Sequence, residues 1–205
     1  MSFARYEFDH RKNSQAVELP HWKQVHGISI AEVTSSDQEC GEVDGLWTRM
    51  PKLPIAVVTA DCVPILLMNK TQGVVAVLHA GWRGTFQNIV QAFFKSIPPE
   101  LSNGEEWEAI LGPSIRACCY EVSEDLIEKF KSQFPEITPT AVEPSPRKLD
   151  LIEVNLYQLL CQGVSAVMIH PDCTFCKKDD EGDFKYYSYR RGDRKSRQYS
   201  TIVIK

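Results

Sequence analysis

"IAVVTADCVPILLMNKTQGVVAVLHAGWRGT", residues 55–85, decides how this chain is read. It holds three apolar runs of strand length, at 55–59, 63–68 and 73–80. The first two are separated by Ala60-Asp61-Cys62. The third ends in Leu78-His79-Ala80 and passes at once into Gly81-Trp82-Arg83-Gly84-Thr85. Burial explains the apolar half. The polar half has the composition of a ligand loop. Glycines let a ligand approach the backbone, a helix N-terminus offers free N–H groups to an anion, and Arg83 can meet phosphate with two donors. A tight turn with a surface arginine accounts for the same residues equally well. The lysine and glycine spacing of a Walker loop are missing.

Outward from this stretch, "FQNIVQAFFKSI" (86–97) sets Phe86, Ile89, Val90, Phe93, Phe94 and Ile97 on one helical face. This predicts a helix capped by Thr85 and stopped by Pro98-Pro99. Residues 107–111 read as a strand. Ser123-Glu124-Asp125 opens a second helix with a cap and an acidic first turn. "PEITPTAVEPSPRK", with four prolines, reads as a surface loop. Residues 149–162 are amphipathic again, and 166–170 and 199–204 finish the chain as strands. Strands and helices alternate without the rhythm of a doubly wound fold. The expected class is therefore an α/β (α+β) sandwich, a mixed sheet flanked by helices in a single domain. Residues 1–20, polar and mixed, are set apart from a body spanning 21–205.

A length of 205 residues suits one large domain or two small lobes. The net charge of −4 gives no basic field, so nucleic acid is not an expected partner. The longest apolar candidate, "LPIAVVTADCVPILLM", is broken by Asp61, and no membrane span is expected. "MSFARYEFDHRKNSQ" has no signal-peptide core, which makes a cytoplasmic protein the expectation. Seven cysteines, an odd count without an export signal, argue against a disulfide framework.

Imidazole and thiolate are the favoured ligands of zinc. His26, Cys62 and His79 supply three, far apart in sequence, which leaves a fourth position for water as in catalytic sites. Spacing alone favours a plainer reading, in which Cys62 fills the core and the histidines bond to backbone carbonyls. Cys173 and Cys176 form a C-x-x-C with no second pair to match it, and read as a packing feature. Adjacent Cys118 and Cys119 read as core packing too. Ser188, Arg190, Arg191 and Arg197 would suit an anionic substrate, or else form a solvated strand edge.

Seven stretches occur in this order: "KQVHG", "TADCVPILL", "LHAGWRGT", "LGPSIRACCYEV", "DLIEVNLYQLL", "DCTFC" and "YYSYRR". Together they resemble the laccase-domain family, also called multicopper polyphenol oxidoreductase-like, whose members are purine nucleoside phosphorylases with adenosine deaminase activity. The resemblance runs from about Trp22 to Lys205. It implies a mixed-sheet sandwich related to a toxin deamidase with a Cys–His pair, and His26, Cys62 and His79 as zinc ligands. It also implies adenosine, inosine, guanosine and methylthioadenosine, with phosphate, as substrates. Family members carry a longer N-terminal segment; here about twenty residues precede "HWKQVHG" and "FARYEFDH" matches poorly, which leaves that segment's substrate contacts unassigned. The family's "TGRQ" appears as Lys195-Ser196-Arg197-Gln198, which keeps the arginine and loses the glycine.

A zinc site of this kind lowers the pKa of a water from about 15.7 toward about 7, as deamination at C6 of adenine requires. Asp61, beside a ligand, is the expected proton carrier; orienting a histidine ligand is its alternative role. Strand alternation would turn Asp61 and Cys62 to opposite faces unless the strand ends there. The expected catalytic residues are thus Asp61, Cys62 and His79. Phosphorolysis needs phosphate below C1′ of the ribose. Arg83 and Gly84 at the helix start, or Ser188 with Arg190, Arg191 and Arg197, are the candidate substrate and phosphate contacts. A metal-free cysteine hydrolase, with Cys62 as nucleophile and His79 as base, uses the same residues. A non-catalytic binding protein of the same fold is a further alternative. A copper oxidase is discounted, since the chain has five histidines and no H-x-H pair.

Overall fold

The central apolar runs become neighbouring strands in a computed structural model that describes residues 3–10 and 18–205. In chain order the first strands are β1 (Ala4–Phe8), β2 (His21–Lys23), β3 (Ile30–Glu32), β4 (Glu39–Glu42) and β5 (Gly45–Thr48). Next come β6 (Ile55–Thr59), β7 (Val63–Asn69), β8 (Val74–Ala80), β9 (Trp107–Leu111), β10 (Ala166–Ile169) and β11 (Gln198–Ile204). The α-helices are α1 (Trp82–Phe86), α2 (Ile89–Ser96), α3 (Glu124–Gln133), α4 (Pro139–Val142) and α5 (Leu151–Cys161). Six strands form a mixed sheet in the order β10-β9-β7-β8-β5-β3, three form a second in the order β1-β11-β6, and β2 pairs with β4. This is the expected class, mixed sheets flanked by a few helices in one domain. No helix among the described residues is long and apolar enough to cross a membrane.

Strand alternation builds the layers. Ile65 and Leu67 of β7, with Ala76 and Leu78 of β8, pack with Ile89, Val90 and Phe93 of α2 and Ile152 of α5. Leu66 and Met68, with Val75 and Val77, face the other way, onto Ile55 and Val57 of β6 and Ile202 of β11. Both faces of β7 and β8 are therefore covered, and every residue in them is buried. Each fully buried large aliphatic side chain contributes about 1.5–3 kcal/mol relative to leaving it exposed. By the same alternation His79 shares the face of Val75 and Val77. It stands at the end of β8, at the mouth of the gap between the two sheets.

Three expectations change. The helix expected over 86–97 is broken into α1 and α2 at Asn88, whose φ is +60°. Asn88 caps α2 by accepting the Gln91 N–H at 3.0 Å. Thr85 is no cap: its hydroxyl accepts from Asn155 at 3.0 Å and its carbonyl from Gln158 at 2.7 Å, which ties α1 to α5. The proline-rich loop contains α4, with Pro139 in its first turn, where a missing N–H costs no bond. Ala4–Phe8 of the N-terminal segment lies in the second sheet, paired antiparallel with β11. Residues 11–17 of that segment lie outside the described residues.

Candidate metal centre

Three segments converge at the mouth of the gap. His26 follows β2, Cys62 sits between β6 and β7, and His79 is the last residue but one of β8. Their ligand atoms all lie within 4.8 Å of one another. The two imidazole rings meet edge to face, with centroids 4.8 Å apart.

One buried carboxylate sets this geometry. Asp44, 0% exposed, accepts the N–H groups of Val25 at 3.1 Å, His26 at 2.9 Å and Gly27 at 2.7 Å. The same carboxylate lies 2.7 Å from Nδ1 of His79. The Nδ1 position is thereby taken, and Nε2 of His79 is the nitrogen left for an ion, the usual carboxylate–histidine–metal order. The "KQVHG" segment is held from the other side by Gln24. Its amide donates to the Val58 carbonyl at 2.8 Å and accepts the Val58 N–H at 2.7 Å.

Burial pushes the Cys62 thiol up, but the His79 and His26 rings beside it outweigh burial and bring it down to about 6. Burial would lower His79, yet the Cys62 sulfur and the Asp44 carboxylate raise it to about 9. Without an ion the pair is thiolate and imidazolium near neutral pH. Two nitrogens and one sulfur converging from separate elements fit a three-ligand zinc site with an open fourth position.

Gly81 makes room for these ligands. A Cβ there would lie 2.9 Å from the Cys62 sulfur and 3.2 Å from Cδ2 of His26. Its φ of −70° suits any residue, so the constraint is space alone. Gly81→Ala is expected to leave the fold intact and to weaken metal binding by about tenfold or more, by displacing the sulfur. Chelator competition together with a thermal melt checks both halves.

Above the centre is a cleft of about 610 Å³, within the range of small-molecule sites. Trp82, Tyr120 and Tyr189 give it aromatic walls, and Arg83, Arg190 and Arg197 give it positive charge. The buried Thr59 hydroxyl also lines it and has no hydrogen-bond partner among the described residues.

The profile of the family described as multi-copper polyphenol oxidoreductase laccase matches residues 5–205. The chain belongs to this family. Among curated relatives, a protein named purine nucleoside phosphorylase from Clostridium acetobutylicum is 32% identical over 189 residues, 92% of this chain and 77% of that one. Adenosine deaminase RL5, from an unknown prokaryotic organism, is 34% identical over 195 residues, 89% of this chain and 74% of that one. Among solved structures, the hypothetical protein YfiH of Bacillus licheniformis superposes with a TM-score of 0.77 at 30% identity, covering 90% of this chain and 74% of that one.

Within this member of the family the expected site residues divide. His26, Asp61, Cys62, His79, Arg83, Arg190 and Arg197 all line the cleft. Asp61 stands in the turn between β6 and β7 with φ +96°, so the strand does end there and alternation no longer separates it from Cys62. Its carboxylate accepts the Thr174 hydroxyl at 2.7 Å, the Ser188 hydroxyl at 3.0 Å and the Arg190 N–H at 2.8 Å. Ser188 is fully buried beneath it. Arg191 is turned into the protein: its guanidinium donates to the carbonyls of Phe175 and Tyr186 and to Asp193, with Phe184 stacked against it at 4.0 Å. Those contacts hold the loop together. Gly84 has protein backbone around it, since a Cβ there would lie 3.2 Å from the Gly27 carbonyl and 3.3 Å from that of His79. The helix start expected beside Arg83 as an anion site is also displaced, because α1 begins at Trp82 and is only five residues long.

Asp44 and Tyr120 went unread in the sequence. "EVDGLW" does hold an acid in an apolar setting, which is a signal of sorts, but nothing local ties it to His79, 35 positions on. Tyr120 follows the Cys118-Cys119 pair, and a lone aromatic there carries no local sign that it lines a cleft.

Proposed function

We propose that this cleft processes purine nucleosides, by phosphorolysis and by deamination of adenosine, with zinc held by His26, Cys62 and His79. The observation that carries the reading is the convergence of these three ligands under an aromatic, arginine-bearing cleft of about 610 Å³. When bound, zinc supplies Lewis acidity and a water of pKa lowered toward about 7. The chain's own residues do the remainder. Asp44 fixes the His79 tautomer and the His26 loop. Trp82 and Tyr120 offer flat faces for a purine, and the unpartnered Thr59 hydroxyl offers a hydrogen bond to it. Burial and the nearby Cys62 sulfur push Tyr120 up to about 12, so it stays a neutral donor. Asp61 positions Arg190 and Ser188 through its three hydrogen bonds and is the carboxylate nearest the ligands in sequence. The test is turnover of adenosine and inosine, with and without phosphate, by metal-loaded and metal-stripped protein. Absence of every one of these activities in the loaded protein would refute the proposal.

Arg83 is the arginine we assign to phosphate. Arg190 already donates to the Glu121 carbonyl at 2.6 Å, and Arg197 to the Ser196 carbonyl at 2.8 Å. The Arg83 guanidinium lies 4.4 Å from the Trp82 ring and makes no hydrogen bond or ion pair among the described residues. One charge-assisted contact contributes about 1.5–3 kcal/mol, so Arg83→Ala should cut kcat/KM for phosphorolysis by about 10- to 100-fold. Adenosine deamination, which needs no phosphate, should change little. Equal loss of both would mean that Arg83 serves the base pocket or the fold.

The thiolate–imidazolium pair of Cys62 and His79 favours a second reading, a cysteine hydrolase that works without metal. Activity that survives exhaustive chelation but is lost on alkylating Cys62 would establish it.

A further inference from the structure

The four cysteines read as packing features come together. The sulfurs of Cys118, Cys119, Cys173 and Cys176 all lie within 4.8 Å of one another. Cys118 and Cys176 are exposed and Cys119 is half-buried, so filling the core does not explain them. All four are free thiols. We propose that these four side chains bind one zinc ion as a tetrathiolate site that pins one wall of the cleft.

The separations of Cys118 from two of its partners are those a tetrahedral site needs. Zinc–sulfur bonds of about 2.3 Å place the sulfurs of a four-coordinate site about 3.8 Å apart. Cys118 is 3.6 Å from Cys119 and 4.0 Å from Cys176. Cys173, the buried member, already has its sulfur held, accepting the Arg116 N–H from the other segment at 3.4 Å.

The location gives the ion its task. Residues 114–120 and 171–177 form no helix or long strand, and are joined by a bridge between Ser114 and Cys173, by the Thr174 N–H on the Ser114 carbonyl at 3.0 Å and by the Arg116 N–H on the Cys173 sulfur. The first segment carries Tyr120 into the cleft. The second carries Thr174 onto Asp61, and its carbonyls at Thr174 and Phe175 receive Arg191. An ion shared by the two segments fixes Tyr120, Asp61 and the Arg190 loop relative to one another. This site is separate from the His26–Cys62–His79 centre and stands or falls independently of the proposed reaction.

The experiment uses the Cys62→Ala protein, which lacks the first centre's thiolate, reconstituted with Zn²⁺ under reducing conditions and then desalted. Elemental analysis should find one zinc per chain, against two for the unaltered protein. The Co²⁺-loaded form should show strong sulfur-to-cobalt charge transfer with the tetrahedral bands of four thiolates. Adding Cys176→Ser should abolish the retained ion and its spectrum, and Cys118→Ser, at an exposed position, should do the same if the first double variant fails to fold. Cys62→Ala protein that retains no zinc overturns the proposal, as does a retained ion without the four-thiolate spectrum or mapping of these cysteines into disulfides. Cys176→Ser alone should keep one ion at His26, Cys62 and His79, which separates failure here from failure of the first centre.

Discussion

Cys62→Ala is expected to lose the ion held with His26 and His79, and adenosine deamination should fall by about three orders of magnitude. Cys62 is the anionic member of the set; without it two imidazoles remain, one of them beside Asp44 and prone to take a proton instead. The same residue gives a direct test in metal-stripped protein. Burial acts to raise the thiol, but His79 and His26 hold it at about 6 rather than the ordinary 9.0. Alkylation of Cys62 should therefore run at full rate above about pH 6 and slow as the pH falls through that value. Bound metal should block it. A rate that rises only as pH approaches 9 would show an ordinary thiol and remove the Cys62–His79 pairing from the account. Retention of full deamination by Cys62→Ala would remove the centre itself.

Asp44→Asn should be the most damaging change that replaces none of the three ligands. The carboxylate takes three backbone N–H groups and faces Nδ1 of His79. An amide of the same shape has one oxygen and one NH₂, so at least one buried donor is left facing another donor. Each such unsatisfied group costs about 1–3 kcal/mol, and a total loss of about 2–5 kcal/mol follows. Metal affinity should drop about 10- to 100-fold, as for other partners of a ligating histidine. The pH dependence has a definite sign. Burial acts to raise the Asp44 carboxyl, but His79 and the backbone N–H groups outweigh it and hold it below the ordinary range. Its contribution is therefore full above the unfolded value of about 3.9 and is lost as pH falls through the lower folded value. The gap in melting temperature between the two proteins should be widest near neutrality and close in strong acid. A gap that is constant with pH would mean that Asp44 acts through shape and not through charge.

The central strands are legible in the chain alone, because their apolar runs are continuous and bounded by polar turns. Residues 55–59 and 107–111 become β6 and β9 with those bounds. Ser123 caps α3 as its local pattern required, accepting from the Leu126 N–H. The ordered motifs also pointed to the family, since motif order survives where pairwise contacts are invisible. Tertiary structure decided what depends on several segments meeting. The strands of residues 21–48 are three or four residues long, too short for any period to register, and they find partners only in one another and in β8. The break at Asn88 runs against an unbroken helical stripe, because Thr85 is claimed by Asn155 and Gln158 of α5. Arg190 and Arg191 are adjacent and chemically alike, yet one lines the cleft and the other is enclosed by carbonyls and Phe184. Cys118 and Cys119 reach Cys176 across 58 and 57 positions, a separation over which sequence spacing says nothing about distance. Local pattern follows from the chain's own backbone geometry, whereas a site is built from side chains that only the packed sheets and loops bring within a few ångströms.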